Sequence, residues 1–282
     1  MSARRISHFP VNDDSNGWSR ILAPRTPKPP LAGRRRADWV VVGAGYAGLA
    51  AARRLAENRP GDEIVLIDAG EAGENASGRN SGFAIDLPHV ISSSQDELEG
   101  SHRYMALARA AIAYHETQIE RHGIDCDWTK SGKYQTASSD KGVSDMLEPF
   151  ARELDALGEP YTWIDEPDLD RRLGTAHFKA AVFTPGCRLL NPAALVRGLA
   201  DSLPDNVTLY ENAPVTGLDT GGPVTLTTRD GEVVADGMIL GVNAFARHFG
   251  YFPRRLLPFA ANASLSRRLT PAEREALGCE DN

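Results

Sequence analysis

Residues 39–68 read WVVVGAGYAGLAAARRLAENRPGDEIVLID: an apolar strand, a glycine-spaced turn, a small-residue helix and a second apolar strand that ends in an acid. Trp39, Val40, Val41 and Val42 supply the first strand, and Leu49, Ala52 and Leu55 fall at helical spacing. Ile64, Val65, Leu66 and Ile67 suit a parallel strand covered on both faces. Each glycine answers its own steric demand. Gly43 permits the tight turn after the strand, Gly45 lets backbone approach a pyrophosphate, and Gly48 lets the helix pack closely on the sheet. A helix opening at Tyr46 aims free N–H groups and its positive dipole end at a diphosphate, while Asp68, twenty residues past Gly48, offers an acceptor to ribose hydroxyls. The pattern predicts a dinucleotide-binding βαβ unit. The plainer alternative is an ordinary strand-turn-helix with fortuitous glycines. A signal peptide is not expected from this stretch, because the apolar run after Arg34–Arg36 carries three glycines and begins far from Met1.

Working outward, the 282 residues suffice for one large domain or two intertwined ones, and a hydrophobic content of 41% is ordinary for a globular protein. A net charge of −7 argues against a nucleic-acid partner, which calls for clustered Lys and Arg. No apolar run approaches membrane-spanning length, so no membrane span is expected. Cys126, Cys187 and Cys279 form no CxxC pair and read as reduced thiols, which makes the cytoplasm the expected compartment. His122 lies near Cys126 without further ligand spacing, so no metal site is expected.

Residues 1–37 are polar and proline-rich and read as an extended arm, with Trp18, Ile21 and Leu22 as its available anchors. The glycine and serine loop at 69–83 is long for a βα connection, which marks it as functional. A helix follows over 95–121, with Met105, Ala108, Ile112 and Ile119 on one stripe, and His115 beside that stripe reads as a packed histidine. Strands are expected at 128–137, 161–164, 180–184, 207–210 and 224–228. Asp230-Gly231 is a hairpin turn leading to strands at 232–235 and 238–242. Helices are expected around 145–157 and from Asn191-Pro192, where a capping side chain precedes a preset φ.

Taken in order, VVVGAGYAGLAAARRL, IVLIDAG, ASGRNSGF, LLNPAALVRGLA, ENAPVTGL and ILGVNAFAR resemble the FAD-dependent oxidoreductases of the D-amino-acid oxidase superfamily, in its γ-glutamylputrescine oxidase-like branch. The resemblance covers about 38–270. It implies an α/β (α+β) fold: a Rossmann-like FAD-binding domain over 38–95 and 185–250, interleaved with a substrate domain over 96–184 and 251–282. It also implies that Gly43, Ala44, Gly45, Tyr46, Ala47 and Gly48 surround the FAD pyrophosphate and that Asp68, with the adjoining Ala69, meets the adenosine ribose. Relatives more often carry Glu at the position of Asp68. Ser77, Gly78, Arg79, Asn80, Ser81 and Gly82 match the second flavin segment, Val215 the backbone contact to adenine, and Asn243 and Ala244 a strand-end turn near the cofactor. The residues agree, since two glycines allow close approach and Arg79 offers a bidentate cation.

The implied reaction is oxidation of a C–H next to an amine by hydride transfer to flavin, on a small amine or amino-acid substrate. The implied FAD is non-covalent, because neither flavin segment contains Cys or His. No catalytic residue is assigned. His89 stands near the second flavin segment but reads more readily as structural, and Tyr134 and Tyr161 read as packing ahead of pocket lining. The family pattern continues beyond the point matching Asn282, so the substrate domain is expected to be incomplete and a further C-terminal segment or partner chain is implied. Two alternatives stay open on the sequence: a truncated, catalytically incomplete homologue or subunit, and an NAD-dependent dehydrogenase using the same βαβ unit.

Overall fold

The computed structural model describes residues 3–88, 95–259, 261–264 and 266–277. Its strands in chain order are β1 (Arg4–Arg5), β2 (Gly33–Val42), β3 (Ile64–Ile67), β4 (Phe83–Ala84), β5 (Lys133–Ala137), β6 (Thr162–Asp165), β7 (Ala180–Thr184), β8 (Arg188–Leu189), β9 (Val207–Tyr210), β10 (Gly217–Asp219), β11 (Val224–Thr227) and β12 (Gly231–Leu240). The chain divides into two compact units, one of Met1–Ser81, Gln118–Cys126 and Asn191–Ser264, the other of Gly82–Thr117, Asp127–Leu190 and Leu265–Asn282.

The first unit is built on a seven-stranded mixed sheet in the order β1-β10-β11-β12-β2-β3-β9. β12, β2, β3 and β9 run parallel, and β10, β11 and β12 form an antiparallel meander. All four residues of β3 are buried, as a central parallel strand requires. The Tyr46–Asn58 helix joins β2 to β3 and buries Gly48, Leu49, Ala52 and Ala56 along one face. Val40, Val42, Ile67, Leu226 and Val233 lie in a single apolar cluster on the sheet. No helix among the described residues is long and apolar enough to cross a membrane.

One expectation fails in the meander. The two strands expected at 232–235 and 238–242 are a single strand, β12, which pairs with β2 in one register from Gly231 opposite Gly33 to Ala235 opposite Ala37 and again from Gly237 opposite Trp39 to Leu240 opposite Val42. Gly237 belongs inside the strand because it faces Trp39, where a side chain would collide with the indole ring. The Asp230-Gly231 hairpin does form between β11 and β12, and Thr228 N donates to Gly231 O at 2.8 Å.

The arm is tied to this unit. β1 pairs antiparallel with β10, Ile6 and Leu31 are buried, and Trp18 Nε1 donates to Asn80 O at 2.9 Å, whereas Ile21 stays exposed. The Pro192–Asp201 helix starts where Asn191-Pro192 predicts. Asn191, itself buried, accepts at Oδ1 from Ala194 N at 3.1 Å. Asn191→Ala is expected to lower stability by about 1–2 kcal/mol, the upper part of the range for a lost N-cap, because the orphaned donor is buried. Urea unfolding against the parent protein measures it, and an unchanged midpoint would contradict the capping role.

The second unit holds the three-stranded antiparallel sheet β5-β7-β6 and the pair β4-β8. Met105 and Ile112 of the Gln95–His122 helix are buried, with Met105 packed in a cluster with Leu147, Leu154 and Val182. The expected 145–157 helix takes a π-helical turn over Val143–Leu147 and is α-helical over Glu148–Leu157, with Pro149 directly after that turn, and it ends at left-handed Gly158. A helix at Glu166–Leu173 escapes the periodicity reading, because its eight residues bury only Leu169. Tyr134 lies against Phe183 at 4.9 Å between ring centroids, and Tyr161 packs against the Met105 cluster while its hydroxyl donates to Asp155 at 3.3 Å.

Candidate functional site

In the first unit a cavity of about 500 Å³ opens at the carboxyl ends of β12, β2 and β3. The chain leaves β2 toward β3 on one side while β12 flanks it on the other, the kind of crevice where open α/β sheets bind ligands. Its floor is the turn Val42, Gly43, Ala44 and Gly45, and its walls include Asp68, Ala69, Ser77 and Val215. Asn243 and Ala244 line it from the turn after β12.

The glycines here are demanded by geometry. Gly43 has φ +100, and a Cβ on it would lie 2.7 Å from Gly241 O. A Cβ on Gly48 would collide with the Gly43 carbonyl oxygen, and one on Gly78 with the Gly73 carbonyl oxygen. Gly45 leaves room for Ser77, whose Oγ accepts from Tyr46 N at 3.2 Å. That bond brings the two glycine-rich motifs together at the start of the Tyr46–Asn58 helix.

Asp68 uses its carboxylate on backbone: Oδ2 accepts from Ala44 N at 2.6 Å and Oδ1 from Gly70 N at 2.8 Å. Burial pushes its carboxyl above the usual carboxylate range, the two N–H donors oppose that, and Glu211 nearby adds to it. Burial likewise pushes the Tyr46 hydroxyl up to about 12, against the hydrogen-bonding side chain of Asn80. Among the described residues no lysine or arginine lines the cavity, where backbone N–H groups and the helix dipole face an anion.

Arg79 is turned to the arm. Its Nη2 donates to Asn12 Oδ1 at 2.8 Å, its Nη1 to Asp13 Oδ1 at 3.0 Å, and its Nε to Glu74 O at 2.7 Å. Tyr46, Ala47, Gly48, Asn80 and Ser81 lie beside the cavity residues in sequence but do not line it, and Gly82 belongs to the second unit. His89 lies outside the described residues. His122 contacts the Arg53 guanidinium at 3.2 Å, and burial holds the His115 imidazole below its ordinary range.

The sequence reading missed Glu211, which is fully buried one residue past β9. It accepts from Arg25 Nη1 at 2.8 Å, from Lys28 N at 2.5 Å and from Ala72 N at 2.6 Å. An available signal was an acid ending an apolar strand, the same pattern that singled out Asp68. The cavity lining from the arm, Ile6, His8, Phe9 and Pro10, carries no motif at all.

A family model described as FAD dependent oxidoreductase (DAO) matches residues 38–278. The chain belongs to that family. It is 28% identical over 254 residues to "Probable oxidoreductase OrdL" of Haemophilus influenzae, covering 87% of this chain and 56% of the relative. It is 29% identical over 216 residues to the gamma-glutamylputrescine oxidoreductase of Escherichia coli, covering 74% of this chain and 49% of the relative. The chain thus spans about half the length of the curated relatives it matches. Among solved structures, glycine oxidase from Geobacillus kaustophilus superposes with a TM-score of 0.63 at 24% identity, over 76% of this chain and 57% of that one. L-amino acid deaminase from Proteus myxofaciens gives 0.61 at 20%, over 81% and 50%. At that identity the likeness establishes the fold, and the family match makes FAD the cofactor.

The cavity passes a test of fit for that group. The Gly45 backbone approaches without a side chain, the helix start faces the strand ends, and the carboxylate at the end of β3 flanks the opening.

Proposed function

We propose that the cavity is the cofactor site of a Rossmann-like domain, and that the protein oxidises the C–H next to the nitrogen of a small amine or amino acid. The observation carrying the first half is the meeting of the Gly43–Gly48 turn with the Ser77 loop at the carboxyl ends of parallel strands. The name of the gamma-glutamylputrescine relative supports the second half.

In this reading the backbone of Gly43, Ala44 and Gly45 and the start of the Tyr46 helix hold the diphosphate. Asp68 accepts from Ala44 N at Oδ2 and from Gly70 N at Oδ1, and its carboxylate faces the cavity as an acceptor for a ribose hydroxyl. Ala69 and Val215 flank the adenosine. FAD, when bound, supplies the two-electron acceptor, and the chain supplies placement and a water-poor wall that includes buried Phe249. Among the described residues no cysteine lines the cavity, and the histidine that does, His8, is stacked on His248 at 4.5 Å, which supports non-covalent attachment. Buried Cys126 and Cys187, neither of them in a disulfide, support a cytoplasmic location.

Purified protein is expected to be yellow and to release a flavin spectrum on denaturation, or to take up added FAD with quenching of flavin fluorescence. Colourless protein that takes up no FAD would remove the site assignment. Tight binding of NADH with no affinity for flavin would assign the cavity to a nicotinamide dinucleotide. Oxidation of a panel of small amines and amino acids, followed at the flavin absorbance, tests the substrate class.

A further inference from the structure

The N-terminal arm makes two separate sets of contacts around the cavity. Residues before the turn build its wall: Ile6, anchored by Ile6 N donating to Thr216 O at 2.8 Å, then His8, Phe9 and Pro10. Phe9 packs against the sheet's apolar cluster, and His8 stacks on His248 with the rings 12° from parallel. Residues 12–18 grip the loop that carries Ser77. Asn12 and Asp13 both face Arg79, and Asp14 after them turns the chain at φ +56. Asn16 Nδ2 donates to Gly73 O at 2.9 Å from a buried position, and Trp18 Nε1 closes on Asn80 O.

We propose that residues 6–18 are a strap that retains the dinucleotide, closing one side of the cavity and fastening the 73–80 loop through Arg79. This rests on the reading that the cavity takes FAD. The charges explain why the contacts serve retention more than global stability. Asp13 and Arg79 have 62% and 27% of their side-chain surfaces exposed, and exposed pairs contribute little to the folding equilibrium. A loop that must open before ligand leaves is governed by its local contacts instead. Arg79 therefore acts as a positioning residue, fixing the loop through the arm without lining the cavity itself.

The test uses FAD-loaded protein carrying Asn12→Ala with Asp13→Asn, and separately Phe9→Ala. Flavin release after dilution is followed by fluorescence recovery. The double variant is expected to release flavin about fivefold faster with an unchanged urea midpoint, the factor a single exposed latch provides. In the parent protein, trypsin cleavage after Arg20 is expected to slow when FAD is added. Release at the parental rate in both variants, with cleavage indifferent to FAD, overturns the strap while leaving the cofactor site standing. A parent protein that takes up no FAD overturns both.

Discussion

Gly48→Ala is expected to destabilise the first unit by about 3 kcal/mol or more and to weaken FAD binding at least about tenfold. Two opposing effects decide the sign. Alanine gains roughly 1 kcal/mol over glycine inside a helix. The added Cβ, however, collides with the Gly43 carbonyl oxygen, a backbone atom that cannot swing aside. Gly43 is itself held at φ +100 against Gly241 O, so relief has to move the turn that floors the cavity. Overpacking of that kind costs about 1–3 kcal/mol where side chains can yield, and more where backbone must. Gly100→Ala is the matched control: it is also helical, a Cβ there meets nothing within 4 Å among the described residues, and the change is expected to stabilise by a few tenths to about 1 kcal/mol. Urea midpoints and FAD titrations of the two variants measure the contrast. Equal effects would remove the close-packing role of Gly48.

Glu211→Leu is expected to cost about 3–5 kcal/mol, the loss that follows when one partner of a buried ion pair is removed. Three donors converge on this carboxylate, from Arg25, Lys28 and Ala72, and Glu211 is completely shielded from water. Leucine fills similar space but leaves the Arg25 guanidinium with Asp201 alone among these carboxylates and strands two backbone N–H groups. Glu211→Gln is expected to cost less, because its amide oxygen still accepts. Ala72 sits between Glu71 and Gly73, which both line the cavity, so FAD affinity should fall along with stability in the leucine variant. Denaturation and FAD titration of both variants, run together, check this. A glutamine variant as unstable as the leucine one would point to shape rather than to hydrogen bonding.

These residues also mark how far the sequence could be read. The βαβ unit was legible because its demands are local. Three glycines, two apolar runs and a terminal acid each follow from the covalent neighbourhood, and Gly43 and Gly48 sit where those demands place them. Asn191-Pro192 was legible for the same reason. β12 reads as two strands in the sequence, and only Trp39 on the neighbouring strand explains why Gly237 lies inside one. Arg79 was legible as a cation in a flavin-like loop, but not the direction it takes, since Asn12 and Asp13 lie more than sixty residues earlier.

By itself, then, the sequence determined the strand-turn-helix-strand unit, the strand and helix order around it and the resemblance that points to FAD, because these rest on short-range sterics and periodicity. Only the tertiary structure decided that Ser77 meets the helix start, that Glu211 anchors the loop beside the cavity, and that the arm forms a wall of it. Those outcomes depend on which distant groups share a desolvated space, where an unpaired donor or charge is costly, and no local pattern encodes that choice.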